Sequence, residues 1–412
     1  MTPAARLQMT IEMLEGLEGT AQPADRFVKD WFRSRRFAGS KDRREIAARL
    51  FAILRHRASL AWRMDSEAPR ALMIASVVDE GENPAPLFTG GYGPAPLTDT
   101  ERDAIAASRS EPPLWVRGEF PPFLEPELVR AFGARLSDEM AALQDRAPAD
   151  LRVNALKATR DDVLAALRAA DIACQPTPGS PYGVRVPPGK GNAALSQSPL
   201  FTSGAFEFQD EAAQIAALLA GARPGMRVCD LAAGAGGKSL ALAATMHDRG
   251  EIIACDVRHA ALTELERRAA RAGASIIKTL PLDGGPPEGP FDLVLVDAPC
   301  SGSGTWRRQP ESRWRLGPER LAELMAIQDR LLDQGAALVR RGGRLVYATC
   351  SILPSENQDR VHELLDRNSG FEAENAAQIW QGPLPPGLEA DYRASPLATG
   401  TDGFYAAILR RI

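Results

Sequence analysis

From about residue 206 the chain alternates apolar runs with stretches patterned as helix, and this alternation most constrains its fold. The runs are MRVCDLA, EIIACDV, SIIKTLPLD, FDLVLVDAP and GRLVYATCS. Between them lie SLALAATMH, LTELERRAARAG and PERLAELMAIQDRLLDQGAALV, with apolar residues at helical spacing. Continuous apolar strands are buried on both faces, and strands separated by helices pair in parallel. The region is therefore expected to be a Rossmann-like α/β domain with a mixed, mostly parallel sheet. Functional groups in such sheets collect beyond the carboxyl ends of the strands. The glycines at 234–237, Asp297, Cys300 and Cys350 all fall there.

The preceding sequence reads differently. Residues 1–145 are expected to form an all-helical domain, as in DRREIAARLFAILRHRASLAWRM, interrupted by a Gly- and Pro-rich loop, GENPAPLFTGGYGPAP. Residues 146–205 read as a small α/β connector, in which LRVNALKATRDDVLAALRAADI is strand, turn and helix. Thr159 is placed to cap that helix, with Asp162 three residues on. Residues 206–412 form the expected catalytic domain.

Bulk composition excludes several classes. No apolar run in the 412 residues reaches the length of a membrane span, and the first residues lack a signal-type apolar stretch. Five cysteines without a C-x-x-C spacing, and four histidines outside any motif with them, argue against a disulfide framework and a zinc site. A cytoplasmic protein without bound metal is expected, and a monomer, since no coiled-coil or swapped-strand signal occurs. The net charge is −4, yet between Arg26 and Arg57 eleven bases face three acids, a local charge of +8. That suits phosphates; a solvated helix face is the plain alternative.

The segment VCDLAAGAGGKSLALAA is strand, glycine turn and helix, and three ligands compete for it. A P-loop needs a glycine where Ala232 stands. A dinucleotide fingerprint needs one at Ser239. An S-adenosylmethionine loop needs a glycine-rich turn between strands that end in acids, and Asp230 and Asp256 supply these. A carboxylate at the second strand end suits ribose hydroxyls, and Asp283, ending the third strand, could face adenine. The paired acids favour S-adenosylmethionine.

Cysteines on apolar strands are usually inert, and Cys174, Cys229 and Cys255 fit that description. Cys300 and Cys350 each sit past a strand, on a turn. Two such cysteines beside a methyl donor suggest methylation at an unreactive carbon. Cytosine carbon 5 becomes nucleophilic once a thiolate has added to carbon 6. The adduct must then lose the carbon-5 proton and expel the thiolate, a step a second thiol could assist. Asp297 is placed to hold the pyrimidine edge, and the base must leave its stack to reach such a site. The residues alone do not say which cysteine attacks.

DAPCSGSGTWRRQPE together with YATCS resembles the RsmB/Nop family of RNA 5-methylcytosine methyltransferases. LRVNALKATRDDV, FQDEAAQ, VCDLAAGAGGKS and TDGFYAAILRR resemble family segments in family order, covering at least residues 150–412. The arginine-rich helical region resembles the NusB-like RNA-binding domain of bacterial members. The resemblance implies that Cys350 attacks carbon 6, that Cys300 assists release, and that Asp297 borders cofactor and base. It implies cofactor contacts from Ala232, Ala233, Gly234, Ala235, Gly236, Gly237, Lys238, Asp256, Asp283 and Asp297. It also implies RNA as partner, with small-subunit rRNA ahead of tRNA. The loop departs from the family pattern: the usual proline is absent and a glycine is added, which should loosen it before ligand binds. Arg307, Arg308, Arg313 and Arg315, after the Pro-Cys-Ser turn, are expected to clamp phosphates beside the flipped base. A nucleotide-hydrolysing P-loop protein and a non-catalytic RNA-assembly factor are the competing functions.

Overall fold

The computed structural model describes residues 1–189 and 191–412. They divide into two compact units, one of Arg146–Thr305 with Pro318–Ile412 and one of Met1–Asp145 with Trp306–Gly317.

The first of these holds both sheets. Strands β1 (Ala149–Val153), β2 (Gln175–Pro176), β3 (Gly183–Val186) and β4 (Phe206–Phe208) form a small sheet in the order β2-β3-β1-β4. All its pairings are antiparallel. The helix Arg160–Ala169 starts on a reciprocal cap, in which Thr159 Oγ1 accepts the Asp162 N–H and the Asp162 carboxylate accepts the Thr159 N–H.

The large sheet comprises β5 (Arg227–Asp230), β6 (Glu251–Asp256), β7 (Ile277–Pro281), β8 (Phe291–Asp297), β9 (Val339–Thr349), β10 (Phe371–Glu374), β11 (Tyr392–Ala394) and β12 (Phe404–Arg411). Its order is β10-β12-β9-β8-β5-β6-β7, with β11 also paired to β12. Strands β5 to β9 pair in parallel, and β12 runs antiparallel between β9 and β10. Alternate residues feed opposite layers. Val228, Ile252 and Leu293 pack with Leu240 and Leu265 on one face. Cys229, Cys255 and Val294 pack with Leu332 and Leu364 on the other. Burial on both faces explains the unbroken apolar runs; each fully buried Val or Leu contributes about 1.5–3 kcal/mol.

The chain winds from β5 outward through β6 and β7, then returns to start β8 on the other side of β5. The strand order reverses there, and in open sheets of this kind ligands bind beyond the carboxyl ends at such a point. Asp230 and Asp297 end those two strands.

The second unit is helical. Pro3–Glu18, Ser40–Arg55 and Pro69–Asp79 enclose a core of Met13, Leu14, Ile46, Leu50, Ile53, Leu72 and Met73. Residues 306–317, which the sequence reading assigns to the catalytic domain, cluster with these helices. Trp306 is fully buried, and Arg313 lies over its ring at 5.1 Å. The Trp314 indole donates to Leu54 O at 3.0 Å, and Glu311 accepts the Ala24 N–H at 2.9 Å. No helix among the described residues is long and apolar enough to cross a membrane.

Candidate active site

The glycine loop follows β5. Gly234 and Gly236 have φ of +55° and +81°, backbone that side chains rarely adopt. A Cβ on Gly236 would lie 2.4 Å from Leu265, so the close packing of loop on helix requires glycine there. Ala233 donates to Cys255 O and accepts from Gly236 N–H, at 2.8 and 2.9 Å, which closes the turn across β6. The loop's outward carbonyls are restrained. Arg268 donates to Ala235 O at 2.7 Å, and Arg152, from β1 of the small sheet, donates to Gly237 O at 2.5 Å. Two arginines thus brace a loop that lacks the proline.

Three strand-end acids surround this loop. Asp230 is fully buried and accepts from Ser239 Oγ at 2.6 Å, while its Oδ1 has no partner among the described residues. Burial pushes its carboxyl up to about 7, against the opposing Ser239 hydrogen bond. Asp256 accepts from Gly234 N–H at 2.8 Å and from Arg258 N–H and Nε at 2.8 and 3.0 Å. Burial raises its carboxyl, but the Arg258 and Gly234 hydrogen bonds prevail and hold it below the usual range. Asp297 pairs with Lys238 at 2.6 Å, and the Lys238 ammonium also lies 4.9 Å from the Phe404 ring centre. Asp283 sits on an exposed turn after β7 and pairs with His259 at 3.0 Å, not with another residue of the set.

The two cysteines meet. Cys300 Sγ and Cys350 Sγ are 3.4 Å apart, on the turns that follow the adjacent parallel strands β8 and β9. Backbone bonds lock these turns: Ala298 N–H donates to Ala348 O at 2.9 Å, and Gly304 N–H donates to Cys350 O at 3.0 Å. Gly304 also touches Gly403, just before β12, so closely that a Cβ would lie 2.0 Å from Gly403 O. The hydrogen bond to Cys350, followed by burial, holds the Cys300 thiol well above the ordinary thiol range. Either thiol can donate to the other across this contact. Among the described residues no group of three or more His, Cys, Asp or Glu could hold a metal.

The sequence reading missed the buried polar cluster behind these turns. Glu356, Gln328, Ser301, Ser303 and Ser351 interconnect there, with Glu356 fully buried. Its one signal was an acid in SILPSEN, a few residues after Cys350. Of the four arginines expected to clamp phosphates, Arg313 is turned inward, and Arg315, though exposed, is engaged by backbone carbonyls. Arg313 is 1% exposed and donates to Glu119 O at 2.8 Å. Arg315 donates to Gln22 O at 3.0 Å and to Ala21 O at 3.4 Å. These guanidiniums fasten backbone carbonyls within the helical unit, because residues 306–317 pack into it instead of forming a free loop.

Residues 217–410 match the family model described as 16S rRNA methyltransferase RsmB/F, and residues 120–189 match the ferredoxin-like domain of RsmF/B-like methyltransferases. A ribosomal RNA small subunit methyltransferase B from Pseudomonas syringae pv. tomato is 33% identical, over 84% of this chain and 78% of its own length. A probable ribosomal RNA small subunit methyltransferase B from Synechocystis is also 33% identical, over 62% of this chain. The match spans only 58% of that relative's length. The crystal structure of a methyltransferase homolog protein from Pyrococcus horikoshii is similar, with a TM-score of 0.61 and 26% identity, over 72% of this chain and 97% of that one.

Proposed function

The chain belongs to the RsmB/F family of rRNA methyltransferases, and from that premise we propose that it transfers a methyl group from S-adenosylmethionine to carbon 5 of a cytosine in small-subunit rRNA. The observation that carries this reading is the pair of strand-end thiols 3.4 Å apart. Such a pair suits a reaction in which one thiol adds to the base and the other helps it leave.

The residues present fit the cofactor. The Gly234–Gly236 backbone can approach a ligand closely, and the unpartnered Asp230 Oδ1 is a buried acceptor beneath it. Asp256 offers a carboxylate at the β6 end for ribose hydroxyls. Arg258 now covers it, on a side chain 68% exposed that has room to swing aside. Asp283 would stand on the adenine side, and the Lys238–Asp297 pair would border the methyl group. When bound, S-adenosylmethionine supplies an electrophilic methyl on a sulfonium.

The chain's own residues do the rest. The Cys350 thiolate adds to cytosine carbon 6, forming an S–C bond and moving the ring electron pair onto carbon 5. Asp297 holds the pyrimidine edge. After methylation, water takes the carbon-5 proton, its bonding pair re-forms the ring double bond, and the S–C bond breaks with its pair returning to Cys350 sulfur. The protonated Cys300, in contact with Cys350 Sγ, donates a hydrogen bond as negative charge returns to that sulfur. The helical unit is read as NusB-like and RNA-binding, through the exposed Arg26, Lys29, Arg33, Arg36, Lys41 and Arg44.

The test is methyl transfer from labelled S-adenosylmethionine to total RNA of a strain lacking this protein. We expect label as 5-methylcytosine in small-subunit rRNA. Label in tRNA would move the substrate, and absence of label despite cofactor binding would overturn the reading. Replacing Arg26, Lys29, Arg36 and Arg44 should weaken RNA binding and flatten its salt dependence; an unchanged slope would return them to a solvated face.

A further inference from the structure

A buried carboxylate stands behind the two thiols. Glu356 lies on the turn Pro354–Glu356 and is fully buried. Its Oε1 accepts from Ser301 N–H at 2.8 Å and Gln328 Nε2 at 3.0 Å. Its Oε2 accepts from Ser301 Oγ and Ser351 Oγ, each at 2.5 Å. A carboxylate this deep is costly unless its oxygens are satisfied, and here four donors converge on it.

The identity of those donors matters. Ser301 directly follows Cys300, and Ser351 directly follows Cys350. Gln328 also donates to Pro299 O at 3.0 Å, so Cys300 is held through the residue on either side of it. Ser303 Oγ adds a 3.0 Å contact to Ser351 Oγ and accepts the Ile352 N–H at 3.0 Å. The two cysteine turns lie some 50 residues apart in sequence and are fastened to one side chain.

We propose that Glu356 is a positioning residue which sets the separation of the Cys300 and Cys350 thiols, by holding the residue after each cysteine on a single carboxylate. This deepens the function proposed above and rests on it for its catalytic meaning, but the geometry can be tested without RNA. In Glu356→Ala all four donors lose their shared acceptor, whereas a glutamine NH2 would still donate to the two serine hydroxyls and keep them tied.

The experiment reads thiol proximity. Diamide joins two neighbouring thiols: the pair gives up two electrons and two protons, forming an S–S bond, and the reagent's N=N bond takes up both. The Cys300–Cys350 product is followed as a cross-linked peptide pair by mass spectrometry, on the full chain. Glu356→Ala should close that bond at least about tenfold more slowly than the wild type, because proximity dominates such rates. Its affinity for S-adenosylmethionine should be unchanged, and methyl transfer should fall in kcat with KM for the cofactor preserved. If Glu356→Ala does not fold, the Ser301→Ala, Ser351→Ala double variant removes both hydroxyl links and should slow closure in the same direction. Folded variants that close the bond at the wild-type rate would overturn the proposal. Slow closure in the variants, in a protein that methylates no RNA even as wild type, would uphold the positioning role and sink the proposed function instead.

Discussion

Two pairs of cysteines lie in one sheet and face opposite fates. Cys229 and Cys255 sit within the adjacent strands β5 and β6, fully buried beside Val294 and Leu345. Their mutual hydrogen bond, followed by burial, holds the Cys229 thiol far above the ordinary range. Cys300 and Cys350 belong to the adjacent strands β8 and β9, but each comes after its strand, half-buried on a turn. What differs is a few residues of register relative to the strand end. Within the strand each sulfur is enclosed in an apolar layer and acts as a small hydrophobe. Past the end it meets the other thiol, with a polar cluster holding the neighbouring residues.

The largest expected effect of breaking this contrast comes from Cys350→Ala. Loss of the proposed nucleophile should lower methyl transfer at least about a thousandfold, with cofactor affinity kept; activity near wild type would assign attack elsewhere. Cys300→Ala should cost about a hundredfold in turnover and, unlike Cys350→Ala, should accumulate an RNA–protein species on denaturing gels. Cys229→Ala and Cys255→Ala should show the reverse pattern. Their methyl transfer should stay at the wild-type level, while each loses about 1–2 kcal/mol of stability in urea denaturation, through a small cavity. If either abolished activity in a stably folded protein, the division of the two pairs would collapse.

The smallest effect concerns Asp230, which follows Cys229 on β5 and shares its burial. Its folded carboxyl is raised from 3.8 to about 7. The folded chain therefore holds this proton more tightly than the unfolded chain. The resulting stabilisation is full below about pH 4 and is lost as pH rises toward 7. Asp230→Asn keeps an acceptor for Ser239 and should flatten that fall. Urea midpoints from pH 4 to 8, variant against wild type, check this; parallel curves would show that Asp230 is not titrating in that window.

Much of this contrast is visible in the sequence, because strand ends are. Apolar runs that stop at DLA, CDV, VDAP and ATCS mark where each strand leaves the core, and the structure ends β5, β6, β8 and β9 at Asp230, Asp256, Asp297 and Thr349. The cluster around Glu356 is not visible in the same way. Gln328 lies on one face of the long helix Pro318–Leu338 with an ordinary polar side chain, and only the packing of that helix on β8 brings it to Pro299. The arginines after the Pro-Cys-Ser turn mislead for a related reason. A guanidinium serves a phosphate or a carbonyl equally well, and its sequence does not say which is near. Arg313 and Arg315 found carbonyls because Trp306 and Trp314 anchor their segment among helices. The bracing of the glycine loop by Arg152 and Arg268 is likewise a long-range product of the fold, with one arginine from each side of the loop in sequence.

The central claim is that Cys350 attacks and Cys300 releases. Its most direct test is to place the trapped base. Cys300→Ala protein is incubated with substrate RNA and S-adenosylmethionine, then digested with nuclease and trypsin, and the modified peptide is identified by mass spectrometry. A methylated cytosine on the peptide spanning residues 345–360, at Cys350, is the predicted result. The same nucleotide on any other cysteine, or no adduct while turnover continues at the wild-type rate, would contradict the assignment.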